Sequence, residues 1–537
     1  MAEVVGGMAT VMVAFDPAAD PAANDLVDSL RPLLAGLMER AFGAEAGVDD
    51  SRGDTIGGDT IGHLLEIPCA FDGPDLVEVA TLVRSTPEAV IAMVTAQPLT
   101  VAVIGFSPGF AYLTGLPEEL CQVPRRPRPR PSVPAGSVAL ANGLAAVYPS
   151  DSPGGWQLVG RTDELLFTPF APPYARLSPG DRVHFVRATR TIGPGAGRTA
   201  GGRAPDTGAA APRLTARPVF VVDEPGVRTV VQDSGRRGVA ALGVPAAGPA
   251  DPVSYGLANQ LVGNPAGAGT LEATARGPSL RCLSPAFVAV VGGSPELRLQ
   301  GQPVAAGQVV PVNPGQHLIV GPVREGLRSY LALAGGFVGP ELFGSIATDQ
   351  LAGLGPGPLR SGAQLWGDTM VPPIGDHLRQ GTPVPAVSGR VALRVVPGPH
   401  HERFAPGTFA MLASCRFTVD SDSDRVGLRL RRHPHTPPLT TAPGAPAELD
   451  SQGMVTGAVQ VPPGGEPVVL LTDHATLGGY PVVAVVAAVD HGLLGQCAPG
   501  VSVVLVPIDH EHAARAAREQ RRLLARAVVG VYPLAVG

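Results

Sequence analysis

The sequence predicts a mainly β protein with a small α/β lobe near its start, and three observations predict it. Gly (69) and Pro (58) together approach a quarter of the 537 residues, with no collagen-like period; such a composition favours tight turns and short strands over long helices. Hydrophobic residues make up 45% and charged residues 16%, so the chain has material for cores and is not a disordered one. Short β-type runs recur between Gly/Pro turns from about Leu99 onward. The length corresponds to about three or four compact units.

In the first part, Leu64 to Phe71 reads as a strand, and Asp75 to Ala80 and Thr86 to Val94 read as short amphipathic helices. Ser85-Thr86-Pro87-Glu88 is a helix start: a hydroxyl cap, a proline in the first turn and an acid beside the dipole. These elements form the α/β lobe, expected over residues 1–98. Val101–Phe106, Ser137–Leu140, Ala145–Tyr148, Gln157–Val159 and Arg182–Val186 read as strands of a small barrel or sandwich over 99–190. From Gly193 to Pro212, fifteen of twenty residues are Gly, Ala or Pro and none is large and apolar. Residues 191–213 are therefore expected to be a flexible linker. Beyond it, strand-like runs continue at Val219–Val222, Ala286–Val291, His317–Val320, Tyr330–Ala334, Val391–Val396, Val468–Leu471, Val482–Val489 and Val501–Val506. One helix is expected from Pro252 to Val262, capped by Asp251 and stopped by Gly263-Asn264-Pro265. A second, from Glu511 to Val528, carries an Arg-rich solvated face.

The formal charge of −6 and a pI near 6.1 speak against a general nucleic-acid or membrane-surface binder. The longest apolar run, Pro481 to Val489, is far too short to span a bilayer. The first residues show neither the basic start nor the apolar core of a secretion signal, and a cytoplasmic protein is expected. All 40 basic residues are Arg. Without Lys there can be no P-loop lysine, no Schiff base and no covalent biotin on this chain. An anion must then be held by guanidinium forks, main-chain N–H groups or a metal. Cys69, Cys121, Cys282, Cys415 and Cys497 are widely spaced with no C-x-x-C. They indicate neither a disulfide framework nor a zinc ribbon and are expected as small buried hydrophobes. The pairs His400-His401, His433/His435 and His510/His512 lack a third ligand at zinc spacing, so no metal site is expected there.

Several strings carry more information. Gly105-Phe106-Ser107-Pro108-Gly109-Phe110-Ala111-Tyr112-Leu113 leaves a β run through a sharp turn, and its aromatics either wall a ligand cleft or fill the barrel core. In Pro124-Arg125-Arg126-Pro127-Arg128-Pro129-Arg130-Pro131 the alternating prolines hold an extended segment with its guanidiniums in a row, a candidate anion clamp or a solvated face. Ser152-Pro153-Gly154-Gly155-Trp156, followed by Gly160-Arg161-Thr162, sets turn N–H groups beside an aromatic and an Arg. Gln232-Asp233-Ser234-Gly235-Arg236-Arg237-Gly238 puts an amide, a carboxylate and two guanidiniums around glycine turns. Asp251 has a sufficient structural role as a helix cap. Leu271-Glu272, Ser423-Asp424-Arg425-Val426-Gly427-Leu428-Arg429 and Thr472-Asp473-His474-Ala475-Thr476-Leu477-Gly478-Gly479-Tyr480-Pro481 complete the set.

Taken together, these strings resemble a fusion of two families, KipI and KipA, the allophanate-hydrolase-subunit-like proteins. GFSPGFAYL, PRRPRPRPSVPAGSVA and YPSDSPGGWQLVGRT are similar to the first; VQDSGRRG, GPADPVSYGLANQLVGNPAGAGTLEAT, VVPGPHHERF, SDSDRVGLRL and LGGYP are similar to the second. The resemblance covers nearly the whole chain except the linker. It implies cyclophilin-like β-barrel domains: one at 99–190 after the lobe, and two in the KipA-like half, at 214–385 and at 386–537 with the C-terminal helix. Two departures stand out. The first family usually carries a His shortly before GF-x-PGF and a Tyr several residues later, where this chain has Val94 and Leu99. The second usually has Ser-Arg-Ser-Thr where this chain has Ser345-Ile346-Ala347-Thr348.

The same resemblance implies the B and C subunits of a 5-oxoprolinase, which opens 5-oxoproline with ATP and Mg²⁺ alongside a separate A-type subunit that binds substrate. With no Lys, Arg126, Arg161 and Arg236 are the candidates for phosphate contact, Asp233 and Glu272 for Mg²⁺, and Gln232 for orienting the amide. Gln232, Asp233 and Glu272 are thus the candidate catalytic residues. Phe106, Pro108, Phe110, Tyr112, Trp156, Asp424, Arg425, Asp473 and Tyr480 are candidates for binding substrate or nucleotide. Two alternatives stand beside this: the carboxyltransferase part of a biotin-dependent urea carboxylase, with biotin on another chain, and a Kip-type regulator that inhibits a histidine kinase. Neither nucleic acid nor membrane is an expected partner, and homo-oligomer formation is left open.

Overall fold

Strand accounts for 36% and helix for 15% of the described residues in the computed structural model, so the turn-rich composition resolves into a mainly β protein. The structure describes residues 3–6, 11–14, 62–189, 192–193, 215–369, 375–445 and 449–529. The linker expected at 191–213 lies outside them except for Ile192 and Gly193.

The first unit is a seven-stranded sheet in the order Gln157–Arg161, Ser137–Ala141, Leu144–Val147, Ala111–Thr114, Leu99–Ile104, Arg182–Arg187, Leu64–Cys69. The last two strands run parallel, from Arg182 opposite Leu64 to Arg187 opposite Cys69. An antiparallel bridge between Ala70 and Arg161 joins the two ends of this order, so the sheet curls almost to closure and protects its edges. Thr86 starts the helix Pro87–Val94 as its sequence predicts, its hydroxyl accepting from Ala89 N at 3.2 Å. That helix and Leu76–Leu82 bury Leu76, Val79, Val90, Ile91 and Val94 in one core with Val101, Leu113, Val183 and Phe185. The Pro/Arg string is extended: Arg130–Val133 pairs antiparallel with Ser152–Gly154.

The second unit is an eleven-stranded sheet running from Arg228–Gln232 and Gly269–Thr274 through the long strand Arg328–Val338. Its helix Pro252–Leu261 is capped by Asp251, whose Oδ1 accepts from Val253 N and Ser254 N, both at 3.0 Å. The helix buries Val253, Leu257, Ala258 and Leu261 against Ala289, Val291, Tyr330 and Ala332. The third unit is a closed barrel of seven strands between Arg390–Pro397 and Ser502–Pro507. Its first and last strands are parallel, as in the first unit. Leu393, Val395, Phe417, Val459, Val503 and Leu505 fill it, fully buried.

Three expectations change. The strand read as Val482–Val489 stops at Val486. Residues Ala488–Asp490 turn instead, because Asp490 folds inward to accept from Arg394 N at 2.7 Å and Arg394 Nε at 2.9 Å. The terminal helix is His510–Leu524, and the β-branched pair Val528–Val529 takes a strand partner, His377–Leu378, in place of a last helical turn. Cys121 is exposed while the other four cysteines are buried; it ends the short helix Glu118–Cys121 with its thiol 3.5 Å from Pro117 O. Among the described residues no helix is long and apolar enough to cross a membrane.

Candidate functional site

The strand Arg228–Gln232 delivers its last side chain and the turn after it into the interior. Gln232 Nε2 donates to Thr348 O at 2.8 Å. Asp233 Oδ1 accepts from Gly235 N at 2.8 Å and from the Ser345 hydroxyl at 2.6 Å, while Oδ2 accepts from Ile346 N at 2.8 Å. Gly235 sits at φ 80°, and a Cβ there would come within 2.5 Å of Ala246 O, so the turn requires glycine. Arg236 is 1% exposed and donates through Nη2 to Ala347 O at 2.5 Å. Its Nε and Nη1 have no protein partner.

The third unit contributes a second guanidinium to this interior. Asp424 shapes the approach, its Oδ1 accepting from Val426 N and Gly427 N at 2.8 and 3.1 Å. Arg425 then grips Asp473 in a fork, Nε to Oδ2 at 3.0 Å and Nη2 to Oδ1 at 2.8 Å. It also reaches into the second unit, donating to Glu272 Oε1 and to Gly248 O, the latter at 2.6 Å. Glu272 Oε2 accepts from Ala250 N at 2.9 Å and from the Tyr330 hydroxyl at 2.8 Å, and Arg328 lies 3.5 Å from Oε1. Gln350 N closes the ring by donating to Asp473 Oδ2 at 2.9 Å.

Burial and charge pull against each other throughout this hub. Burial opposes charge on Arg425, but Asp473 and Glu272 outweigh it and hold the guanidinium well above its ordinary range. Burial alone would raise Glu272; Arg425 and Arg328 reverse that and lower it. Arg236 is lowered by its burial despite Asp349 and Asp233 nearby. Asp349 goes the other way: burial, then the neighbouring Asp473 charge, raise its carboxyl to about 8 against the pull of Arg236 and Arg425. A carboxyl that changes charge near neutral pH is a group suited to proton transfer.

The first half docks against this interior. Gly109 N donates to Leu242 O at 2.9 Å, and a Cβ on Gly243 would meet Ser107 O at 2.2 Å, so the Gly105–Leu113 string lies backbone to backbone against the short turn that follows Gly238. Leu477, four residues past Asp473, packs into the cluster of Phe110, Tyr112, Tyr148 and Trp156. On the hub's outer side a cleft of about 580 Å³ opens between the second and third units. Ser234, Arg237, Pro249, Tyr255, Thr472 and His491 are among its walls. Arg237 is exposed there, next in sequence to the sealed Arg236.

The carboxyltransferase-domain model for subdomains A and B matches residues 242–507, and that for subdomains C and D matches residues 1–177. The 5-oxoprolinase C subunit of Escherichia coli (strain K12) is 33% identical over 300 residues, covering 55% of this chain and 94% of that one. The chain belongs to the carboxyltransferase-domain family. The 5-oxoprolinase B subunit of Haemophilus influenzae is 40% identical over 166 residues, which cover 30% of this chain and 72% of that one. The crystal structure of TTHA0988 superposes with a TM-score of 0.77 at 34% identity, covering 94% of this chain and 93% of that one.

Within this carboxyltransferase pair, the hub brings together Gln232, Asp233, Arg236, Glu272, Arg425 and Asp473. Other candidates lie apart from it. Phe110 is edge-on to Phe106, Tyr112, Tyr148 and Trp156 at 5.0–5.8 Å between ring centroids, and Pro108 is buried beside them. Of the two readings of these aromatics, core filling describes what the rings do. Arg126 bonds Asp75 at 3.0 Å and Glu78 at 3.4 Å, and Arg161 bonds Asp72 at 2.6 Å, so both guanidiniums have carboxylate partners within the first unit. Tyr480 is half-buried on the far side of Leu477 in sequence. Val94 and Leu99 lie in the apolar core of the first unit, both 1% exposed. Asp233 and Glu272 do not fit a shared Mg²⁺, because each oxygen of both carboxylates already receives a protein donor. Among the described residues no group of three or more His, Cys, Asp or Glu side chains forms a metal site. Sequence reasoning missed Asp349, Gln350 and Tyr330. Asp349 follows the Ser345–Thr348 string directly, and that position was its available signal.

Proposed function

We propose that the chain is the fused B–C component of a 5-oxoprolinase-type complex, opening the lactam of 5-oxoproline with ATP together with a separate A-type subunit. One observation carries this reading: a single polypeptide joins a region akin to the B subunit with one akin to the C subunit, and the Gly105–Leu113 turn of the first packs against Leu242 and Gly243 of the second. A lactam resists hydrolysis because its amide is resonance-stabilised. ATP, when bound, supplies activation of the carbonyl oxygen by phosphoryl transfer, a step that asks the protein mainly for positioning and charge neutralisation. This chain offers Arg237 in the cleft as the guanidinium for an anionic group. Behind the cleft, Asp349 can hold or release a proton near neutral pH.

The test is reconstitution with the A-type subunit. The expected result is ADP release that depends on 5-oxoproline, and a KM raised about tenfold by Arg237→Gln, the worth of one charge-assisted hydrogen bond. Repeated absence of turnover with the proper partner rejects the reading. Urea-dependent turnover with a biotinylated protein would replace it by the carboxyltransferase alternative, and binding of neither ATP nor 5-oxoproline by the Kip-type regulator.

A further inference from the structure

The loop from Glu341 to Leu354 touches all three units. Its two ends belong to the first: Leu342 and Leu354 are buried in the core with Leu99, Phe167 and Leu177. The Phe343 ring stands edge-on to Tyr174 with centroids 4.8 Å apart, and 6.2 Å from Phe167. Its middle belongs to the second unit. There Ser345 Oγ and Ile346 N hold Asp233, Ala347 O holds Arg236, and Thr348 N donates to Val231 O at 2.9 Å. Further on, Gln350 N reaches Asp473 of the third unit at 2.9 Å.

Phe343 has φ 55°, a region that residues with a Cβ occupy only where their surroundings fix it. Two things fix it here. Leu342 and Ser345 close a tight turn by exchanging backbone hydrogen bonds of 2.9 and 3.3 Å. The left-handed turn then aims the ring away from the hub and into the aromatic slot of the first half, while Ser345, two residues on, faces Asp233.

We propose that Phe343 is a positioning residue: seated in the Phe167–Tyr174 slot, it makes the alignment of Asp233, Arg236 and Asp473 depend on how the first half is docked. The first half is then a partner in cis to the hub, since a shift of the slot passes through two residues of backbone to the Asp233 carboxylate. Alignment by Phe343 holds whichever reaction the hub serves; only the kinetic readout rests on the proposed oxoprolinase activity.

Hydrogen–deuterium exchange on the full chain tests it without any assay of turnover. In Phe343→Ala the amides of Ile346, Thr348 and Gln350 should exchange about tenfold faster, with the barrel strands Phe417–Val419 and Ser502–Pro507 unchanged. Phe343→Tyr should restore the slow rates. Tyr174→Ala, which empties the slot from the other half, should loosen the same three amides. Unchanged exchange in Phe343→Ala or Tyr174→Ala overturns the proposal. Acceleration spread evenly over the chain also overturns it, since that is a loss of stability and not of positioning. In the reconstituted complex, Phe343→Ala should lower kcat about tenfold with KM little changed, the mark of a lost transition-state alignment; a change in KM alone counts against it.

Discussion

The aromatic nest around Phe110 and the ionic hub around Arg425 are both sealed from water, yet they are made of opposite materials. In the nest, aromatic packing dominates: the rings meet edge to face, the Tyr112 hydroxyl finds Ser451, and the unpaired buried atoms are neutral ones at its margin, Ser107 Oγ, Ser152 Oγ and Gln157 Oε1. In the hub, Arg425 is fully engaged, but Nε and Nη1 of Arg236, Oδ2 of Asp349, Oε1 of Gln232 and Oγ1 of Thr348 have no protein partner. A buried polar group left unpaired costs about 1–3 kcal/mol, and several stand side by side here. The difference lies in charge: the hub leaves parts of a guanidinium and a carboxyl unpaired, the nest only neutral side chains. Incomplete pairing of charged groups in a sealed place is therefore the better guide to function than burial of aromatics.

The largest effect should come from cutting the hub's central pair. Arg425→Met leaves Glu272 and Asp473 buried without their shared counter-charge and should lower stability by about 3–5 kcal/mol, read from urea unfolding. Adding Asp473→Asn restores the balance, because Glu272 keeps Arg328 and the new amide oxygen still accepts from Gln350 N. The double variant should recover most of the lost stability and none of the activity. A double variant as unstable as the single one would mean that packing, not charge, holds the hub, and the contrast with the nest would disappear.

The nest should answer to size alone. Phe110→Ala removes a ring with four aromatic neighbours and should cost the first unit about 3 kcal/mol, near the low end for such truncations because those neighbours can close in. Its effect should be the same from pH 6 to pH 8, as no charged group is uncovered. A pH-dependent loss would show that the nest shares the hub's electrostatics.

Local chemistry was legible in the sequence and long-range meeting was not. The hydroxyl–proline–acid start at Thr86 and the Asp251-Pro252 cap act within four residues, so their helices could be read directly. The mainly β class followed from turn-rich composition. The bridge from Ala70 to Arg161 that nearly closes the first sheet leaves no local trace. Neither does the pairing of Arg425 with Glu272, 153 positions apart, although both strings drew notice singly. The aromatics of GFSPGFAYL stayed ambiguous because the same side chains serve a core or a cleft, and only burial separates the two. Asp349 escaped notice because a lone Asp in a loop has no pattern until Asp473 and Arg236 are placed beside it.

The smallest predicted effect sharpens the comparison most, because it depends on one proton. Burial and the charge of Asp473 raise the Asp349 carboxyl from 3.8 to about 8. The unfolded chain releases this proton near pH 4 and the folded chain holds it until near pH 8. Between those limits the folded state binds more protons, so stability falls as pH rises, and the slope ends above pH 8. Asp251, raised by burial to about 6, contributes with the same sign but only in the lower part of that window. His400, His474 and His491, lowered mainly by burial, contribute with the opposite sign up to their ordinary value near 6.5. Those groups are common to parent and Asp349→Asn, so the difference between the two in urea unfolding from pH 7 to pH 8 isolates Asp349. Asp349→Asn keeps an acceptor for Ala352 N and should flatten the slope between pH 7 and pH 8 by up to about 1.4 kcal/mol per pH unit, the worth of one bound proton. Parallel slopes in parent and variant would mean that Asp349 is already charged in the folded protein, and the hub would then lose its candidate for proton transfer.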